Sequence, residues 1–472
     1  MLRLLPMISH SRVIPLIIAS ALFMENMDST VIATSLPAIA ADLGTDPIVL
    51  KLAFTTYLLS LTVFIPISGW LADRLGAKHV FRASIVVFML GSIACGASQS
   101  LGWLVAARAL QGIGGAMMVP VGRIIMLREI PKSQLVDALA WLTVPALLGP
   151  LVGPPIGGFI TTYFDWRWIF WMNIPIGVLG IGLATRLMHA TSIDYVPPLD
   201  VPGFLLSGLG LSALVFGFTV LGRNLLPGHA PLILIMFGAL CVALYLRHAA
   251  RIAEPILDLR LLRNPTFYAG VVGGSFYRVG VGAIPFLVPL MLQLGFGYSA
   301  FHTGLLTCSA AIGAIAMKFT TARLLRRFGF RSLLIINGFL SCGFMASYGL
   351  LTPLTATALM VFVFLIGGFL RSLQFTAMNA LSYADIEKNE AGKATSLYTV
   401  VQQLSLSAGV AVAAAILEIT QWARGDLAIV AEDFSVAFFC VALIATLSVI
   451  PFTKLKPQAG ASVLGKEIET GG

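Results

Sequence analysis

The chain has 472 residues, of which 58% are hydrophobic and only 11% are charged, against about 25% charged in soluble globular proteins. This balance excludes an ordinary water-soluble enzyme or binding domain. The net charge of +9 is explained more simply by cations gathered on one side of a membrane than by nucleic acid.

The apolar residues fall in runs of roughly 18 to 25, long enough as helices to cross about 30 Å of hydrocarbon and unlike the ~10-residue alternating strands of a barrel. Fourteen spans are expected, at about 13–36, 50–72, 79–98, 101–123, 135–160, 167–188, 201–222, 230–247, 267–292, 303–325, 331–350, 354–379, 394–418 and 434–453. Alternating sides then places 22 of the 30 Lys and Arg with the amino terminus and 4 opposite it (Lys51, Arg167, Arg223, Arg424). Both termini are therefore expected in the cytoplasm. The first run is full length and is followed by many more, so no cleavable signal is expected. The five cysteines stand singly in apolar runs, which indicates neither a disulfide framework nor a metal cluster.

The first span carries Glu25 and Asp28. A charge at that depth costs several kcal/mol unless it faces a partner, the protein interior or water. Three residues apart, the two acids share a helix face and resist double ionisation, which suits a reversible proton carrier. A fixed ion pair or a place at a water-filled mouth is the alternative for each.

The second span holds Tyr57 and ends in Gly69-Trp70-Leu71-Ala72-Asp73-Arg74-Leu75-Gly76-Ala77-Lys78. Gly69 and Gly76 permit close packing and a tight turn. Asp73 can accept from a helix N-terminus or a cation, and Arg74 and Lys78 hold the loop cytoplasmic. The fourth span contains Leu104, Arg108, Gln111 and Gly112. Arg108 cannot practically lose its charge and is either the counter-charge of an acid on the first span or a side chain that snorkels to the interface. In the fifth span Gly149, Gly153 and Gly157 recur every fourth residue beside Pro154 and Gly158, a flat face for close helix approach. Trp166-Arg167-Trp168-Ile169-Phe170-Trp171 follows as an aromatic belt.

These stretches resemble known signatures of the major facilitator superfamily. The loop from Gly69 is similar to its G-x-L-A-D-R-x-G-x-K motif, with Ala77 where a basic residue is usual, and Arg108 to Gly112 looks like its fourth-helix motif. The run from Gly149 to Gly158 is similar to the signature of its exporting antiporters, and Trp166 to Pro175 resembles the W-R-W-I-F-x-I-N-x-P run of the fourteen-helix drug:proton antiporters. Met27 to Pro37 follows that family's first-helix pattern, with Ala33 in place of asparagine. Gly112 to Gly122 and Gly295 to Ser299 look closest to the MdtD-type subgroup.

The resemblance implies an all-α polytopic membrane protein with two pseudo-symmetric six-helix halves, residues 1–190 and 266–457. Residues 191–265 would add two linker helices outside the core, and 458–472 a cytoplasmic tail. Leu324 to Arg331 takes the place of Leu71 to Lys78 in the second half, with the acid missing. Such pseudo-symmetry puts a substrate site near mid-membrane. Candidate cavity residues are Tyr57, Gln111, Trp141, Arg278, Phe286, Arg371, Gln374 and Asn379, with Lys318 a further cation that either lies deep in its span or reaches the cytoplasmic face.

No G-x-x-x-x-G-K-[ST] phosphate loop occurs, so ATP hydrolysis is not expected, and neither a cofactor nor a metal is required. A monomer in the bacterial inner membrane is implied, exchanging protons at Asp28, Glu25 and Arg108 for small amphipathic drugs. Gly69, Asp73, Arg74, Gly76, Lys78, Gly149, Gly153, Pro154, Gly157 and Gly158 would form its conformational switch. Because the intramembrane cations outnumber the acids, export of an organic anion or its metal chelate is the alternative. A sensor or intramembrane enzyme is a remoter one, since no signalling domain and no nucleophile with its base is visible.

Overall fold

In the computed structural model the apolar runs are helices, with no strand among the described residues. Those are 10–130, 134–189, 198–220, 227–387, 390–425 and 429–460. Arg223 and most of the expected tail lie outside them.

Helices α1 (His10–Asp42), α2 (Lys51–Leu75), α3 (Ala77–Gly96), α4 (Leu101–Glu129) and α5 (Leu135–Tyr163) precede a short α6 (Trp168–Trp171), then α7 (Asn173–Leu187), α8 (Val201–Val220) and α9 (Ala230–Ala249). The second series comprises α10 (Pro265–Tyr268), α11 (Gly274–Leu290), α12 (Ala300–Lys318), α13 (Thr321–Ser347), α14 (Thr357–Ser382), α15 (Ala391–Arg424), α16 (Ala431–Thr446) and α17 (Val449–Thr453). Thirteen of the helical segments described are long and apolar enough to cross a membrane, and the 29-residue α5 is the fourteenth of that length. Two π-helical turns, Ala269–Gly273 and Met291–Gly295, flank α11.

The chain divides into two compact units, residues 1–46 with 52–246, and 47–51 with 247–472. In the first, α1 lies along α5, α3 along α4, and α7 against both α1 and α3. The α1–α5 contact is made by the glycines spaced at four. A β-carbon at Gly149 would meet Asn26 Cβ at 2.9 Å, and one at Gly157 would meet the Val31 carbonyl at 2.7 Å, so backbone lies against backbone. Gly114 of α4 is equally close to the Ser84 carbonyl of α3, at 2.7 Å. Gly210 and Gly217 of α8 seat Val242 and Ile235 of α9 in the same way.

The second unit repeats these pairings, α11 with α15, α13 with α14, and α16 against α11 and α13. Its counterpart of the α2–α3 loop is a kink inside α13 at Gly329, with φ 72° where Gly76 has φ 87°. Both values are left-handed, which explains a glycine at each point. In both units a cation two residues later caps the C-terminal end of a helix, α7 in the first and α17 in the second. Lys78 Nζ donates to the Thr185 and Met188 carbonyls at 2.9 and 2.6 Å, and Arg331 Nη2 donates to the Thr453 carbonyl at 3.0 Å, each satisfying carbonyls that a helix end leaves without partners. Within the second unit Lys51 Nζ also donates to Glu418 at 2.7 Å.

Four local expectations change. The tenth span ends at Lys318 rather than Leu325, because residues 321–328 turn into a separate helical arm before Gly329. Lys318 is consequently exposed at a helix end, donating to Thr376 at 2.9 Å, and not deep in a span. Nothing approaches within 4 Å of a β-carbon built at Gly69, so the close packing expected there is absent. The aromatic run is only partly a belt: Trp168 is 53% exposed, but Trp166 and Phe170 are buried, with Trp166 and Arg167 donating to Asp42 at 3.2 and 2.8 Å.

Candidate functional site: a carboxylate network in the first unit

Asp28 sits midway along α1 and is only 3% exposed. Its Oδ2 accepts from Arg108 Nη1 of α4 at 2.5 Å, and its Oδ1 accepts from Gln111 Nε2 at 2.8 Å and from Asn173 Nδ2 of α7 at 3.0 Å. Arg108 and Gln111 are one helical turn apart on the same face, and Arg108 Nη1 also donates to Gln111 Oε1 at 2.6 Å. That bond fixes the orientation of the amide, so its NH2 must face the carboxylate. Ser92 Oγ of α3 closes the ring, accepting from Gln111 and Asn173 at 2.8 and 3.1 Å. The Arg108 guanidinium lies over the Tyr57 ring at 4.2 Å.

Arg108 is wholly buried, which rules out snorkelling. Its side chain points inward because α3 and α4 meet so closely that a β-carbon at Gly91 would touch the Gln111 backbone at 2.6 Å. Glycine here lets the polar face of α4 turn toward α1. Glu25, one turn before Asp28, is partly exposed, and its buried Oε2 has no hydrogen-bond partner among the described residues. Tyr57 Oη is likewise buried without one.

The second unit carries a related pattern, Arg371-x-x-Gln374 on α14 for Arg108-x-x-Gln111 on α4. Gln374 Oε1 accepts from Asn337 Nδ2 of α13 at 2.8 Å, as Gln111 meets Ser92 of α3. No acid enters. Tyr277 of α11 donates to or accepts from Ser341 at 2.5 Å. Arg278, fully buried, has Tyr398 Oη and, at 3.5 Å, the Gly270 carbonyl as acceptors, with the rings of Tyr398 and Phe375 at 4.6 and 5.8 Å. Arg371 is half-buried with no ion pair among the described residues.

The Major Facilitator Superfamily model matches residues 18–410. The chain belongs to the Major Facilitator Superfamily. Among its relatives, the "Putative multidrug resistance protein MdtD" of Yersinia enterocolitica is 36% identical over 453 residues, 94% of this chain and 95% of that protein. The protein of the same name in Salmonella typhimurium is also 36% identical, covering 93% and 94%. Two solved superfamily-like folds superpose with a TM-score of 0.68. A D-xylose-proton symporter is 14% identical and covers 96% of this chain and 99% of its own, and the POT family transporter PepTSo is 15% identical and covers 94% and 97%. At such identities they speak for the fold alone. The superfamily member described here is thus an integral membrane transporter of small molecules, not an enzyme.

Within this transporter, Asp28, Arg108, Gln111 and Tyr57 come together. Asp73 accepts from Arg128 Nη2 of α4 at 2.6 Å, in a half-exposed pair, so its partner is the cation rather than a helix N-terminus, while Arg74 is exposed. Pro154 and Gly158 are buried in α5. Trp141 is 39% exposed, Phe286 is fully buried, Gln374 is tied to Asn337, and Asn379 is partly exposed. Asn173, Ser92, Asn337 and Tyr398 complete the two polar clusters and were not anticipated. An amide ahead of an eleven-residue apolar run, Ile174 to Ala184, was the available signal for Asn173, whereas nothing in the local sequence distinguishes Ser92 from other span serines.

Proposed function

We propose that the chain is a proton-coupled exporter of small amphipathic molecules in the bacterial inner membrane, with both termini cytoplasmic, working by alternating access. One observation carries this proposal: an acid on α1 and an arginine on α4, both in spans, form a buried ion pair at 2.5 Å. Charges withdrawn from water are expensive, and a membrane carrier that retains them has a use for them. Proton arrival at the α1 carboxylates and cargo arrival alter the same charge balance, so each favours a different packing of the surrounding helices. The α1 carboxylates Asp28 and Glu25 and the Arg108 guanidinium make up the proton-coupling region, in which one carboxyl group carries the proton.

The Asp73–Arg128 pair and the α1–α5 glycine face are contacts that one packing makes and another releases. Residues 1–190 and 266–457 would be the transporting halves, and α8 with α9 an appended pair. The names of the 36% identical relatives favour drugs as cargo. The test is a proteoliposome in which an imposed pH gradient drives tetraphenylphosphonium against its own gradient. Accumulation that survives a protonophore would refute proton coupling.

Arg278 favours a second reading of the cargo. A buried guanidinium held by a tyrosine hydroxyl and a carbonyl, with no carboxylate among the described residues, suits an organic anion. Competition between tetraphenylphosphonium and a tricarboxylate in the same vesicles separates the two.

A further inference from the structure

Two carboxyl groups one turn apart occupy opposite hydrogen-bonding situations. Asp28 takes three N–H donors, Arg108 on Oδ2 and both Gln111 and Asn173 on Oδ1. A proton added to Oδ1 would confront two of those donors, and the Gln111 amide cannot turn to receive it because Arg108 holds its oxygen at 2.6 Å. It would also strip a fully buried guanidinium of its only described counter-ion. Donors to the charged form stabilise that form. Asp28 is the anchored acid of the two.

Glu25 is built the other way. Its Oε2 is buried with no partner among the described residues, and no described donor reaches its carboxyl group. The groups facing it are few. On its own helix Asp28 opposes a second negative charge, and from α4 Arg123 supplies the opposing positive one. From α2 comes the unpartnered Tyr57 hydroxyl. α5 meets this stretch with Gly149, against Asn26 and Phe23, and α7 meets α1 with Gly180, beside Ser20, so neither brings a titratable side chain to it among the described residues. An ion in a span without donors is costly, whereas a neutral carboxylic acid there is tolerated. Glu25 is also partly exposed where Asp28 is sealed, so a proton can reach it without dismantling the network.

From this geometry we infer that Glu25, and not Asp28, is the group that takes up and releases the transported proton, with Asp28 the fixed anion of a structural ion pair. The inference rests on the proton-coupled reading above. In this packing Glu25 holds its proton. It gives the proton up to water when rearrangement brings a donor or solvent to the bare oxygen, and it binds another from the far side. Arg108 then acts as a positioning residue, through Asp28, and does not meet the proton itself.

The test uses the purified full chain and four proteins: wild type, Glu25→Gln, Asp28→Asn, and the double variant Asp28→Asn/Arg108→Gln, which removes both charges together in case the single Asp28 change fails to fold. Infrared titration of the protonated-carboxyl carbonyl band above the ordinary carboxylate range, about pH 5.5 and higher, needs no substrate. The expected result is a titrating band in wild type and in the double variant, and loss of that band in Glu25→Gln. In proteoliposomes Glu25→Gln should lose accumulation of tetraphenylphosphonium driven by the pH gradient, while equilibrium exchange across the membrane continues. A band that persists in Glu25→Gln and vanishes in the double variant would overturn the assignment in favour of Asp28. Wild type with neither band nor proton-linked accumulation would sink proton coupling as a whole, a result distinct from either variant pattern.

Discussion

Replacing Asp28 with asparagine keeps the size of the side chain and one acceptor oxygen, and removes the charge that faces Arg108 Nη1 at 2.5 Å. The guanidinium stays wholly buried, and its other contacts, the Ala53 carbonyl at 3.4 Å, Gln111 Oε1 and the Tyr57 face, carry no formal charge. Leaving one partner of a buried pair uncompensated costs about 3–5 kcal/mol, or roughly a hundredfold to a few thousandfold in the folding equilibrium. Removing Arg108 as well, in Asp28→Asn/Arg108→Gln, abolishes the uncompensated charge and should recover most of that loss. A double-mutant cycle read by denaturant unfolding of the detergent-solubilised protein should therefore show a coupling of about 2 kcal/mol or more. Additive effects of the two substitutions, or a stable Asp28→Asn protein, would refute the view of this pair as one buried unit.

Gly157→Val places a side chain where a β-carbon already meets the Val31 carbonyl at 2.7 Å, and should cost about 1–3 kcal/mol and stop transport. Gly69→Ala, with open space around it, should change neither the unfolding curve nor the transport rate. Lys78→Ala removes the cap from the Thr185 and Met188 carbonyls and should lower stability by about 0.3–1 kcal/mol, a loss that thermal unfolding can resolve and that Lys78→Arg should largely restore. Outside the spans, hydrogen bonds from Arg260 hold the Asp258 carboxyl below its usual range. Its stabilising contribution is therefore complete above about pH 4, the unfolded value, and is lost as pH falls through the lower folded value. The difference in unfolding midpoint between wild type and Asp258→Asn should hold steady from neutral pH to that point and close only below it.

Length and hydropathy were sufficient for the helices, since a lipid-facing backbone has few other solutions. The spacing of Gly149, Gly153 and Gly157 likewise announced a close helix contact before its partner was known. Arg108 could be assigned to α1 only as one of two possibilities, because depth in a span says nothing about the direction in which a side chain leaves the helix. Asn173 and Ser92 come from α7 and α3, and their convergence on Asp28 is a product of tertiary packing. The misplaced boundary at Lys318 has a local cause. Residues 321–328 contain enough leucine and phenylalanine to resemble the end of a span, and the turn that separates them from the next one depends on a backbone angle at Gly329.

The paired loops at Gly76 and Gly329 have diverged in one respect. Both keep the left-handed glycine and the capping cation, but where the first has Asp73 bound to Arg128, the second has Arg326, with no carboxylate partner among the described residues. Dissolved ions shield a half-exposed ionic contact and leave a glycine bend unaffected. Raising the salt concentration should therefore loosen the contact at one loop and spare its counterpart, so that two matching bends differ in how they answer their surroundings.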